Sequence, residues 1–130
     1  MSRPIGEVPT KTFQPGEVIF REGDDARGEA FMVHVGRVEI RKQIGGEERL
    51  LRTMTKGELI GHLALFRNVP RSATAIAADA VTLMVIPANR LDHLVRANPA
   101  LALALIRDLA AMLLAAEDRL RETEEKLKKE

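Results

Sequence analysis

Hydrophobic and polar positions keep one rhythm over the first two thirds of this chain and another after it. From about residue 12 to 86, short apolar runs are punctuated by Pro15-Gly16, Gly23-Asp24, Gly36, Gly45-Gly46 and Gly57 at fairly regular spacing. That rhythm predicts short strands in a double-sheet roll or barrel. Around Gly36, Phe31, Val33 and Val35 alternate on odd positions and Val38 and Ile40 on even ones. A phase change at glycine predicts a tight turn or bulge between two strands. Gly45-Gly46 separates 37–44 from 47–54 and reads as a hairpin tip. The apolar run 82–86, stopped by Pro87, reads as a last, buried strand.

Beyond that strand the period lengthens. Leu91, Leu94 and Val95 fall at helical spacing within 89–97, and Asn98-Pro99 then supplies an N-cap with proline at the first helical position. Nothing breaks the helix from there to Glu130. Ile106, Leu113, Leu120 and Leu127 lie seven apart, with Leu109, Ala116 and Thr123 between them, a heptad seam of falling hydrophobicity. Glu122/Lys126, Glu124/Lys128 and Glu125/Lys129 stand in the favourable acid-before-base order. Two readings compete. Either the apolar half packs on the roll and the charged end is solvated, or the seam pairs with a second copy in a parallel homodimer. Leu120 and Leu127 favour the homodimer, because one domain offers the far end of so long a helix little to pack against.

A length of 130 residues suits one domain with a core that needs no staples. The absence of cysteine excludes disulfides and thiolate metal sites, and His34, His62 and His93 are too far apart in sequence to form a metal motif. A net charge of +1 gives no electrostatic argument for nucleic acid or a membrane surface. Residues 1–10 read as a polar arm without a signal-peptide core, and no apolar run approaches the roughly eighteen residues of a membrane span. A soluble, cytoplasmic protein is the expectation. Asp24, Asp25, Glu29, Glu47 and Glu48 lie in turns, no nucleophile signature is present, and the glycines lack the spacing of a nucleotide-triphosphate or dinucleotide loop. The chain is not expected to be an enzyme.

Candidate chemistry concentrates in Gly57-Glu58-Leu59-Ile60-Gly61-His62-Leu63-Ala64-Leu65-Phe66 and the following Pro70-Arg71-Ser72-Ala73-Thr74. A small-residue turn, a short run of backbone amides and one arginine suit a compact anion, and a phosphate ester is the natural guest. The stretch resembles the phosphate-binding cassette of the cyclic nucleotide-binding domain family, with matches at Gly61, Leu63, Ala64, Leu65 and 70–74. The resemblance extends to Phe13-x-Pro15-Gly16-Glu17-x-Ile19-Phe20-x-Glu22-Gly23-Asp24 and to Gly36-Arg37-Val38-Glu39-Ile40. It covers roughly 11–115 and leaves 116–130 as the charged end of the helix, a candidate coiled coil.

The resemblance implies a mainly β jelly roll, or double-stranded β-helix, flanked by helices with a long C-terminal one. It implies a regulatory sensor of cyclic nucleotide whose binding set is Gly61, His62, Leu63, Ala64, Arg71, Ser72, Ala73 and Thr74. Arg71 would take the cyclic phosphate, the Leu63 and Ala64 amides would assist, the Ser72 hydroxyl would reach a phosphate oxygen and Thr74 would act nearer the base. Ser72 and Thr74 equally read as strand residues whose hydroxyls bond nearby backbone. Capture would draw the short helix at 61–66 inward and rearrange the C-terminal helices.

His62 departs from the family, which has there a glutamate that receives the ribose 2′-hydroxyl. Losing that charged acceptor should cost roughly 1–3 kcal/mol, or about ten- to a hundredfold in affinity. A protonated His62 would instead add attraction, with affinity rising as pH falls. The site would otherwise take another phosphorylated ligand or be silent. The competing function is therefore a structural or protein-interaction module with a degenerate cassette. In the family a threonine directly after the arginine accompanies guanine, so Ser72 favours cyclic AMP over cyclic GMP. With only Phe13, Phe20, Phe31 and Phe66 as aromatics, purine stacking falls to an arginine or an aliphatic surface, and Arg107 and Arg119 are candidate base contacts. No nucleic-acid partner is expected, since the helix-turn-helix of family transcription factors does not follow the long helix; the output is a separate protein or the remainder of a longer chain.

Overall fold

A computed structural model of the chain describes residues 8–129, so most of the arm expected over 1–10 lies outside the described residues, as does Glu130. Its last residues are not an arm. Val8 is fully buried in the core, and Thr10 opens the first strand.

The strands are β1 (Thr10–Phe13), β2 (Val18–Phe20), β3 (Glu29–Val35), β4 (Val38–Ile44), β5 (Glu47–Met54), β6 (Leu59–Ile60), β7 (Thr74–Ala77) and β8 (Val81–Pro87). Helices α1 (Leu91–Ala97) and α2 (Pro99–Lys129) follow, and short 3-10 turns occupy His62–Leu65 and Ala88–Arg90. Two four-stranded antiparallel sheets, ordered β1-β8-β3-β6 and β2-β7-β4-β5, form the expected jelly roll. Gly45 and Gly46 both carry positive φ and join β4 to β5 with Ile44 opposite Glu47, the two-residue geometry that matches strand twist. At Gly36 a Cβ would strike the Ala80 carbonyl, so the tight connection from β3 to β4 needs glycine for space as well as for its φ of 89°.

The alternation in β3 is not the one-sided pattern its odd positions imply. Phe31 and Val33 face the core between the sheets, Ala30 and Met32 face a second core shared with Leu94, Leu101 and Leu105 of the helices, and Val35 is exposed. Helices cover the outer face, so β3 is apolar on both sides.

Asn98 also departs from expectation. Its backbone and side-chain amides both donate to the Leu94 carbonyl, at 2.9 and 3.1 Å, so its side-chain N–H groups serve the end of α1 rather than the start of α2. Pro99 does begin α2.

Only the first turns of α2 enter the core, through Leu101, Ala104 and Leu105. Ile106, Leu113, Leu120 and Leu127 are each more than 60 % exposed, so the roll does not cover the heptad seam. The expectation of no span-like segment needs correction: by length and composition α2 is apolar enough to cross a membrane, and most of its apolar part is exposed. Alternating Leu and Ala keep 99–116 apolar across the pair Arg107-Asp108, which interrupts the run in sequence but not the average.

Candidate functional site

The 3-10 turn after β6 and the segment leading into β7 meet around one cavity of about 360 Å³. Backbone hydrogen bonds fix their meeting. Arg71 N–H donates to the Asp24 carbonyl and Gly23 N–H to the Arg71 carbonyl, each at 2.8 Å, beside an isolated bridge between Asp25 and Pro70. The Gly23-Asp24 turn therefore grips the main chain of Arg71 from both sides.

The Arg71 side chain is 8 % exposed. Its Nη2 donates to the Ala26 carbonyl at 3.2 Å, whereas Nε and Nη1 are buried with no hydrogen-bond partner among the described residues. The guanidinium lies 4.2 Å from the centre of the Phe20 ring and 5.6 Å from that of Phe31. Burial lowers its pKa, Glu29, Asp24 and Asp25 oppose the shift from a distance, and a guanidinium remains charged throughout the physiological range. A buried cation with two unmet donors is costly alone. An anion presenting two oxygens meets both.

Gly61 is favoured by its backbone, and a side chain there would also displace the end of Arg71. Its φ of 69° lies in the left-handed region, and a Cβ there would collide with Arg71 Nη1. Of the two expected amides, that of Ala64 is already spent on the Gly61 carbonyl at 3.1 Å, which leaves Leu63 N–H at the start of the turn. Ser72 and Ala73 line the cavity. Thr74 does not, and its hydroxyl oxygen accepts from Glu22 N–H at 2.9 Å, the structural alternative. Arg107 and Arg119 are exposed on α2 and line no part of the cavity. An aliphatic wall of Ile40, Leu51, Met54, Leu59 and Val69 faces it instead.

His62 lines the cavity and touches α2. Nδ1 is buried without a hydrogen-bond partner among the described residues and lies 3.9 Å from Asp108 Oδ2, while Nε2 lies 2.7 Å from Met112 Sδ. Burial pushes the imidazole pKa below its ordinary 6.5, with Asp108 pulling it back and Arg52 adding to the fall. The imidazole is therefore neutral near pH 7, which argues against a cationic His62 beside a phosphate. Asp108 is raised chiefly by its own burial, with Glu58 adding to the rise and His62, Arg52 and the nearby Leu59 backbone opposing it.

Sequence reasoning missed Asp108, Met112, Arg52 and the Phe20 ring. Arg52 also lines the cavity and pairs with Glu58 at 2.7 Å. Only the helical phase of Leu101, Leu105, Asp108 and Met112, which repeat at i+4, i+7 and i+11, carries a signal for the two α2 residues.

The family model for the Cyclic nucleotide-binding domain matches residues 10–98. The Cyclic AMP receptor protein of Thermus thermophilus is 34% identical over 105 residues, 79% of this chain and 46% of that protein. The crystal structure of Thermus thermophilus Catabolite Activator Protein superposes with a TM-score of 0.72 at 30% identity, over 85% of this chain and 52% of that one. The regulatory domain of Toxoplasma gondii PKA, crystallised with cAMP, superposes with a TM-score of 0.60 at 31% identity, over 65% of this chain and 32% of that one. The chain thus spans less than half the length of the curated relative. With its jelly roll, its cassette and a family match over most of its length, the chain belongs to the cyclic nucleotide-binding domain family.

Proposed function

We propose that this chain is a cyclic nucleotide sensor, a regulatory rather than catalytic module working in the cytoplasm. The observation that carries this reading is Arg71, a buried guanidinium with Nε and Nη1 unmet at the edge of the cavity. The cyclic phosphate takes those donors together with the Leu63 amide and the Ser72 hydroxyl. The purine lies along the aliphatic wall, and adenine is favoured over guanine, since no threonine follows Arg71. Neutral His62 offers one acceptor nitrogen to the ribose 2′-hydroxyl in place of a carboxylate, so binding is retained but weaker than a glutamate would give.

The signal passes through the turn His62–Leu65 to α2, and it is limited to the ligand's preference for one arrangement of these elements over the other. The uncovered seam on α2 pairs two copies in a homodimer, and the output lies in another protein or in a further part of a longer chain. The same exposed seam favours a second reading, a protein-interaction module that no longer uses its cassette.

Calorimetric titration with cyclic AMP and cyclic GMP separates the two. The sensor predicts saturable binding, tighter for cyclic AMP and lost in Arg71→Ala. No heat and no thermal stabilisation at millimolar ligand would defeat it in favour of the interaction module.

A further inference from the structure

The partners of His62 come from outside the cassette. Asp108 reaches Nδ1 from α2, and Met112, one helical turn further on, covers Nε2. Asp108 lies against the roll, close to the Leu59 backbone in the strand just before Gly61. Its side chain and that of His62 are about four-fifths buried. Arg52 of β5 also acts on the imidazole, and it pairs at 2.7 Å with Glu58 ahead of β6, which acts on Asp108. The anion within 4 Å of the ring is Asp108, and Arg52 acts on both members of the pair.

We propose that Asp108 is a positioning residue for His62: it holds the imidazole proton on Nδ1 and leaves Nε2 as the acceptor for a ligand hydroxyl, so that this acceptor is complete only while α2 is docked. This rests on the sensor reading. As it stands Nε2 is the ring nitrogen at hydrogen-bond distance, from Met112 Sδ, but a carboxylate is a far stronger acceptor than a thioether, so the ring proton goes to the side of Asp108 once that contact closes. At 3.9 Å the pair is oriented by charge, and closing by about 1 Å brings it to hydrogen-bond length. Met112 is unbranched and flexible, and a hydroxyl arriving at Nε2 displaces it by a change of rotamer. The order of contacts, carboxylate to imidazole to ligand, is the means by which an outer carboxylate fixes a histidine tautomer at other binding sites. Here the outer group is on the helix expected to move.

Acid breaks the arrangement. Protonation of Nε2 removes the acceptor, so affinity falls as pH drops through the pKa of His62. Removing the Asp108 charge shifts that midpoint to lower pH, because Asp108 raises the imidazole pKa.

The test follows the His62 ring nitrogens by ¹⁵N NMR in the ligand-free chain and measures cyclic AMP affinity by calorimetry from pH 5 to pH 8. In Asp108→Ala the Nδ1–H tautomer loses its dominance, the His62 midpoint moves down and affinity at pH 8 falls several-fold. Asp108→Asn, which keeps an acceptor without the charge and serves if the alanine variant folds poorly, shows the same lowered midpoint with affinity restored towards wild type. His62→Gln binds with no dependence on pH across the range. Binding by the wild type with neither tautomer, midpoint nor affinity altered in the Asp108 variants overturns the proposal. If the wild type binds no cyclic AMP, the sensor reading and the acceptor role both fail, and an unchanged ring titration in Asp108→Ala overturns the pairing as well.

Discussion

The two ends of the cavity are built by opposite strategies. At one end Arg71 is fixed by main-chain bonds to the Gly23-Asp24 turn, by the Ala26 carbonyl and by the Phe20 ring, all within the roll. At the other, His62 is flanked by Asp108 and Met112 on a helix that joins the core only through its first turns. A preformed phosphate site gives affinity without reorganisation. A residue whose environment is shared with a separate helix gives the ligand something to select only if the two can rearrange. The difference teaches that one pocket can join a residue held wholly within the roll to one whose neighbours come from a separate helix.

The largest effect is expected at the rigid end. Arg71→Met should weaken cyclic AMP by about a hundredfold, from the loss of charge-assisted hydrogen bonds worth about 3 kcal/mol, while Tm stays at or above wild type because an unpaired buried charge is removed. A large fall in Tm would mean that Arg71 is a structural residue. Gly61→Ala comes next. Left-handed backbone and the displaced guanidinium together should lower stability by about 1–2 kcal/mol in denaturant titration and affinity by roughly tenfold.

At the His62 end, His62→Glu alone should gain little affinity at pH 7, since the new carboxylate faces Asp108 and repels it. Joined to Asp108→Asn it should gain about tenfold, so a double-mutant cycle read by calorimetry is strongly non-additive. Additive gains would separate the two positions. The smallest effect is on stability against pH. His62 has a folded pKa below 6.5, so the unfolded chain binds more protons in the window just below that value and stability falls as pH drops through it. Denaturant titrations at pH 7 and pH 5.5 should show a loss that is reduced in His62→Gln.

What was legible in the sequence was local. Gly45-Gly46 announced a hairpin because two positive-φ residues in succession suit little else, and the phase change at Gly36 announced a turn for the same reason. Arg71 was legible because the cassette places it between a proline and a run of small residues. The two-sided burial of β3 was not, because it depends on helices some sixty residues away packing on one face. Thr74 resembled a ligand residue until its hydroxyl met the Glu22 backbone across 52 residues. Asp108 and Met112 were hidden by distance, since the contact between His62 and Met112 spans 50 residues and no local pattern marks one carboxylate on a helix as the neighbour of an imidazole. Met112 even reads from sequence as one more apolar position.

The form of α2 has a mechanical consequence. Beyond Met112 it continues for about 26 Å with no roll beneath it. A pivot of about 10° where it leaves the roll would carry its far end by about 4.5 Å. The helix has the form of a lever arm whose near end lies beside the pocket, and the acid-before-base pairs Glu122/Lys126, Glu124/Lys128 and Glu125/Lys129 favour helix along its far end.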